Sequence, residues 1–274
     1  MIARPIPSSG EELPTIGLGT WQTFDIPDLK SYPTLEEVLR SLHGAGGRVI
    51  DSSPMYGLSE QVVGAITAST DIQNDFFYAT KVWTRGLEEG IRQMETSVQR
   101  MGRTTMDLMQ IHNLIDWKTH LPQLRRWKET GKIRYIGLTH YTDSSHEELE
   151  KLMRTENVDF IQFNYSIAFR HAEKRLLDAA QDLGVATLIN RPLGEGQLFH
   201  QVMGKPLPPW AKSYGIDTWA CYFLKYLLAH PAVTCVIPAT SNPVHALENL
   251  KGGTGELPDR RMKKRMLEYL QKTL

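Results

Sequence analysis

Eight times along the chain, a short run rich in apolar and β-branched residues is followed by a longer segment whose apolar side chains recur at helical spacing. The runs lie at residues 16–19, 48–51, 76–80, 107–111, 134–138, 159–163, 185–189 and 233–237. Apolar residues occupy both parities of these runs, so each reads as a strand buried on both faces. The intervening segments draw one apolar helical face each, as with Leu35, Val38, Leu39 and Leu42, or Ile91, Met94, Val98 and Met101, or Leu176, Leu177, Ala180 and Leu183. Buried strands alternating with covering helices imply a parallel sheet. Eight such units predict an α/β fold of the closed (β/α)8 TIM barrel type, in preference to an open doubly wound sheet.

Two additions to the barrel are expected. Extended residues 4–6 and 13–16 around Ser8-Ser9-Gly10 predict an N-terminal β-hairpin closing the barrel floor. Residues 260–274, with Met262, Met266 and Leu270 on one face, predict an extra C-terminal helix. Thr34 with Glu37 and Ser145 with Glu148 have the spacing of capping boxes and predict two helix starts. Trp219, Tyr222, Phe223 and Tyr226 recur at helical spacing and read as core packing. No Gly/Ser tract or Pro-rich linker divides the chain, so residues 1–274 are expected to form one barrel domain.

Charge and cysteine content exclude several function classes. With 31 basic and 31 acidic side chains there is no broad cationic field, so nucleic acid and anionic membranes are not expected partners. The apolar runs are too short to span a bilayer, and Met1-Ile2-Ala3-Arg4-Pro5-Ile6-Pro7 lacks the apolar stretch of a signal peptide. Two cysteines, Cys221 and Cys235, make no disulfide framework, and a reducing cytoplasm is the expected compartment. The chain is expected to be a monomer or weak oligomer.

In a (β/α)8 barrel, chemistry sits at the strand C-termini and the loops that follow. Asp51 ends the second run, Tyr56 lies in the next loop, and Lys81 and His112 stand at the exits of the third and fourth, one residue past each run. Each alone has an ordinary structural explanation; their joint occurrence at consecutive strand exits favours function. A free phenol, with a pKa about 10, is a poor acid near neutrality, but an adjacent ammonium stabilises the phenolate. Lys81 supplies that charge, Asp51 holds it, and a neutral His112 orients a carbonyl oxygen or shares the proton. There is no Gly-x-Ser-x-Gly elbow and no catalytic cysteine signature, so a hydride donor must come from outside.

These residues, together with Gly17-Leu18-Gly19-Thr20-Trp21, Lys81-Val82-Trp83 and Gly131-Lys132-Ile133-Arg134-Tyr135-Ile136-Gly137, resemble the aldo-keto reductase superfamily, in the manner of its short bacterial-type members. The resemblance implies hydride transfer between NADPH and an aldehyde or ketone, with Asp51, Tyr56, Lys81 and His112 as the catalytic set and Tyr56 as proton donor. It places Thr20, Trp21 and Asp51 at the cofactor, and Thr139, His140 and Gln162 at the nicotinamide carboxamide, with His140 where the family usually has Asn. Asn190, Arg191, Pro192, Leu193, Gly194 and Gly196 stand where the family usually stacks an aromatic ring on the nicotinamide; Asn190 cannot stack as a ring does, and Arg191 is open to stacking its guanidinium, pairing with the pyrophosphate or forming a salt bridge in the barrel rim. Pro238, Thr240, Ser241, Asn242, Glu248 and Asn249 resemble the adenosine-binding segment. Ala239 and His245 replace two basic residues that commonly grip the 2'-phosphate, so NADPH is expected by family habit, with NADH as the alternative.

Trp21 and Trp83, with Trp117 or Phe24, are expected to wall the substrate site around Tyr56 and His112, suiting an apolar or aromatic carbonyl compound. Longer members continue past this C-terminus into a loop over the substrate, so an open pocket with broad aldehyde acceptance is expected. No Rossmann fingerprint exists, because Gln22 stands where the third Gly is required, and the dinucleotide is expected to lie extended over the barrel mouth. Two other readings compete with the reductase. A metal-dependent barrel hydrolase using Asp51, His112 and His140 lacks the paired His-x-His and sets a lysine beside its aspartate, so no metal is expected. An NADP(H)-sensing barrel with little turnover is the second.

Overall fold

The structure is a computed structural model and describes residues 1–274. The chain opens with an antiparallel hairpin, β1 (Ala3–Pro5) with β2 (Glu12–Pro14), Arg4 lying opposite Leu13. Eight parallel strands follow, each hydrogen-bonded to the next in chain order: β3 (Leu18–Gly19), β4 (Val49–Asp51), β5 (Phe77–Val82), β6 (Met106–His112), β7 (Ile133–Thr139), β8 (Phe160–Asn164), β9 (Ala186–Asn190) and β10 (Cys235–Val236). Isolated parallel bridges, Ile16 to Val236 and Gly19 to Ala239, join the first strand to the last. The barrel is thus closed at the seam where its strands are shortest. Glycine is required there: a Cβ on Gly17 would sit 2.7 Å from the Val49 Cβ.

Around the barrel run α1 (Tyr32–Gly44), α2 (Ser59–Ala68), α3 (Leu87–Arg100), α4 (Trp117–Glu129), α5 (His146–Glu156), α6 (Leu176–Leu183), α7 (Gln197–Gln201), α8 (Trp219–Leu228), α9 (Pro243–Lys251) and α10 (Arg260–Thr273). The Leu35, Val38, Leu39 and Leu42 face of α1 is buried, as its spacing predicts. In α8 the stripe of Tyr222, Phe223 and Tyr226 is core, and α10 packs Met266 and Leu270 inward, with the Tyr222 hydroxyl donating to the Met266 carbonyl at 2.7 Å. Arg4 of the hairpin donates to the Leu228 and His230 carbonyls at 2.6 and 2.8 Å, tying the hairpin to the end of α8.

The two capping boxes do not form. The first helix begins at Tyr32 with Pro33 in its first turn, which leaves Thr34 inside the helix, where its hydroxyl cannot cap. Ser145 does precede α5, but its backbone is already helical and its hydroxyl bonds Thr142 Oγ1 at 3.1 Å instead. Caps form elsewhere: Thr218, Asn242 and Asp259 accept the N–H groups of Cys221, Val244 and Met262 at the starts of α8, α9 and α10. Each contributes about 1 kcal/mol.

Strand alternation builds the barrel interior in layers. The floor holds Val49, Phe77, Ala79, Leu108, Tyr135, Phe160, Ala186 and Leu188, with Ile6 and Leu13 of the hairpin plugging it from below. The Phe77, Tyr135 and Phe160 rings pack with centroids 5.6–6.1 Å apart. Two residues further along each strand, the side chain points to the same interior one layer higher. Val49 is followed in this way by Asp51, Ala79 by Lys81, Leu108 by Gln110 and His112, Phe160 by Gln162 and Asn164, and Leu188 by Asn190. The pleat therefore converts an apolar floor into a polar layer at the mouth.

Candidate active site

Asp51 and Lys81 meet in that layer, both essentially without solvent exposure. Lys81 Nζ donates to Asp51 Oδ2 and to the Ser52 carbonyl, each at 2.6 Å. The other carboxylate oxygen, Asp51 Oδ1, accepts from Gln110 Nε2 and Gln162 Nε2, both at 2.9 Å. Burial alone would drive the Lys81 proton off, but the Asp51 carboxylate and the Tyr56 phenol outweigh it and hold the ammonium's pKa above its ordinary value.

The half-buried Tyr56 ring lies across this ion pair, its centroid 5.0 Å from Lys81 Nζ, and meets the His112 ring edge-on at 5.8 Å. Lys81 does not lower the Tyr56 phenol overall, contrary to expectation. Burial is the largest influence on the Tyr56 phenol and raises its pKa; Lys81 lowers it only in part, and Asp51 raises it further. The net shift is upward, so the phenol holds its proton at neutral pH and is poised as a donor.

His112 is buried, with Nδ1 at 3.0 Å from Ser53 Oγ. Burial, then the Lys81 charge and His140, push its pKa down to about 2. His140 and His146 are lowered by burial as well. The unfolded imidazoles bind protons near pH 6.5 and the folded ones do not, so stability is complete above about pH 6.5 and is lost as pH falls below it. Urea unfolding at a series of pH values is expected to show that acid loss, shallower by about one proton in His112→Gln. A flat stability from pH 7 to 5 would contradict it.

The remaining candidates divide by location. Thr139 Oγ1 donates to Gln162 Oε1 at 3.1 Å, and Gln162 Nε2 donates to Gln110 Oε1 at 3.1 Å as well as to Asp51. Both side chains thus brace the ion pair and keep only acceptor lone pairs for a ligand. His140 Nδ1 accepts the N–H groups of Tyr141 and Thr142 at 3.0 and 3.3 Å, so Nε2 carries the proton of the neutral ring. Asn190 Nδ2 donates to the His140 carbonyl at 3.2 Å, while its Oδ1 is buried without a partner. Thr20, fully buried, shares its hydroxyl between the Asp51 carbonyl and Ser52 Oγ. Trp83 is half-exposed with its ring 6.4 Å from His112, and Trp21 is partly exposed beside Thr20.

Phe24 does not wall the mouth. Phe24 is fully buried in the core, and Trp117, at the start of α4, packs against that core. The loop after β9 carries two non-glycine residues at positive φ, Arg191 and Glu195, which pair at 2.8 Å. Arg191 lies 4.4 Å over the Tyr141 ring, so its charge is engaged on both sides. Pro192 and Gly194 are buried, Leu193 and Gly196 partly so, and a cavity of about 330 Å³ opens among Tyr141, Asn164, Phe169, Arg191 and Gly194. At the seam, Pro238 is buried, and Thr240 Oγ1 accepts the Asn242 N–H at 3.1 Å. Ser241, Asn242 and His245 are exposed and Glu248 partly so, whereas Asn249 is buried against Ile16, Leu18 and Val38. Gln110 and Ser53 were not singled out from the sequence. Gln110 was legible as the residue two before His112 on the same strand face; nothing local marked Ser53.

The described donor set fits a nicotinamide dinucleotide. The orphaned Asn190 Oδ1 and the free lone pairs of Gln162 and Thr139 match an amide N–H donor, and His140 Nε2–H matches an amide carbonyl.

Known proteins share this fold and this family. The Aldo/keto reductase family model matches residues 15–265. An aldo-keto reductase of Strobilurus tenacellus is 30% identical over 178 residues, 60% of this chain and 52%, about half, of that protein. An NADH-specific methylglyoxal reductase of Escherichia coli K12 is 27% identical over 245 residues, 76% of this chain and 72% of the relative. Among solved structures, an aldo-keto reductase from Klebsiella pneumoniae in complex with NADPH superimposes with a TM-score of 0.81 over 98% of this chain and 96% of that one, at 22% identity. With a buried Asp51–Lys81 pair under Tyr56 at the mouth of a (β/α)8 barrel, and a family match spanning all eight barrel strands, this chain belongs to the aldo/keto reductase family of oxidoreductases.

Proposed function

We propose that the protein reduces small aldehydes or ketones to alcohols with NADPH, accepting NADH as well, and that Tyr56 is the proton donor. The observation that carries this reading is the buried Asp51–Lys81 ion pair beneath a protonated Tyr56, with a neutral His112 edge-on beside it. When bound, the nicotinamide supplies the hydride. Tyr56 Oη and the His112 imidazole converge on the carbonyl oxygen, so negative charge developing there meets a donor on each side. Lys81 stabilises the phenolate left when Tyr56 gives up its proton, and Asp51 keeps that ammonium charged and in place. Trp83 gives the approach beside His112 an apolar surface, which favours an apolar or aromatic substituent on the carbonyl.

Asp51 is the weak point of a hydrolase reading, because both its oxygens are already taken by Lys81, Gln110 and Gln162. The experiment is oxidation of NADPH, and separately of NADH, followed at 340 nm against aromatic and aliphatic aldehydes, ketones and dicarbonyls. Turnover in the wild type that is lost in Tyr56→Phe supports the proposal. Tight cofactor binding with no turnover on any of these would instead favour a sensor of the dinucleotide.

Cofactor choice rests on the α9 end. The exposed Ala239 and His245 supply no fixed positive charge near the place for a 2'-phosphate, so discrimination between NADPH and NADH is expected to be weak. His245→Arg should tighten NADPH binding about tenfold relative to NADH, the scale of one charge-assisted hydrogen bond. Titration of each cofactor by quenching of tryptophan fluorescence measures the ratio. An unchanged ratio would place the 2'-phosphate elsewhere.

A further inference from the structure

We propose that Ser53 is a positioning residue that sets the tautomer of His112, so that the imidazole presents Nε2–H, and not a lone pair, to the substrate carbonyl. Ser53 is fully buried in the loop between β4 and α2, two residues past the end of the strand that carries Asp51. Its Oγ accepts the Met55 N–H at 3.3 Å and lies 3.0 Å from His112 Nδ1. A hydroxyl has one proton to give and two lone pairs. With Met55 on one lone pair, the proton of Ser53 has a single acceptor within reach, the Nδ1 of His112.

The alternative arrangement is self-defeating. Were Nδ1 protonated, Ser53 Oγ would accept two N–H groups and its own proton would be buried without a partner. The neutral ring then carries its proton on Nε2. The choice matters because the ring carries no net charge: a neutral imidazole attracts a carbonyl oxygen through its N–H and repels it through its bare nitrogen. Ser53 therefore decides whether His112 helps or opposes the polarisation that Tyr56 completes. Ser53 itself touches neither the substrate nor the reacting atoms.

This inference rests on the reductase reading for its consequence, but its test does not. Nitrogen-15 NMR of histidine-labelled protein reports the tautomer of each ring directly. The wild type is expected to show His112 as a single Nε2-protonated species at neutral pH. Ser53→Ala should populate the Nδ1-protonated form and lower kcat about tenfold with the cofactor Kd unchanged, and Ser53→Thr, which keeps the hydroxyl, should restore both. A wild-type ring protonated on Nδ1, or a tautomer indifferent to Ser53→Ala, would overturn the proposal. If no carbonyl is reduced by any variant, wild type included, while the NMR result holds, the reductase reading fails and the positioning role stands.

Discussion

Tyr56→Phe is expected to lower kcat for carbonyl reduction by about 10²- to 10⁴-fold, the range of a general acid, while cofactor affinity stays within a factor of two or so. That loss corresponds to roughly 3–5 kcal/mol of transition-state stabilisation. The substitution removes only the hydroxyl. The ring that meets His112 edge-on and covers Lys81 is retained, so the folded site should persist. Steady-state kinetics with a fast aldehyde, paired with fluorescence titration of the cofactor, separates the two quantities. The pH dependence adds a second readout. Because burial raises the phenol, the reduction rate should not fall through deprotonation of free Tyr56 until well into the alkaline range. Alcohol oxidation, which needs the phenolate, should rise with pH over the same span. A variant retaining most of the wild-type rate would remove Tyr56 from the mechanism.

Lys81→Met is expected to cost both stability and activity, by separable causes. It leaves the Asp51 carboxylate buried with Gln110 and Gln162 as donors but without its counter-charge. Breaking a buried ion pair from one side typically costs about 3–5 kcal/mol. Adding Asp51→Asn removes the stranded charge, so the double variant should recover most of the lost stability. It should not recover activity, because the Tyr56 phenolate still has no cation beneath it. Denaturant unfolding and turnover measured on both variants decide the matter. Recovery of turnover with stability in the double variant would mean that the pair is structural only.

Much of the architecture was legible before any coordinates. Apolar runs such as 134–138 and 159–163 became β7 and β8 with boundary shifts of a residue or so, since a strand buried on both faces must be apolar on both parities. Asp51, Lys81 and His112 were legible for a related reason: charged or polar side chains that abruptly end such runs have nowhere to go except the mouth of the barrel. The capping boxes failed because a local spacing rule competes with the chain's entry into the helix. At α1, Pro33 already starts the turn, and at α5 the helical conformation extends back through Ser145.

What the residue order determines by itself is periodicity and parity: which stretches are strands, which faces are apolar, and which polar side chains must share the interior one layer above the floor. Those are short-range properties, set by the two-residue pleat and the 3.6-residue helical turn. The rest depends on distances between residues far apart in the chain. Gln162 reaches Asp51 across 111 positions, Phe24 turns into the core instead of the mouth, and the Tyr56 phenol shifts upward because burial outweighs the neighbouring ammonium. Desolvation and hydrogen-bond partnership are sums over everything that surrounds a group, and only closure of the barrel brings those surroundings together.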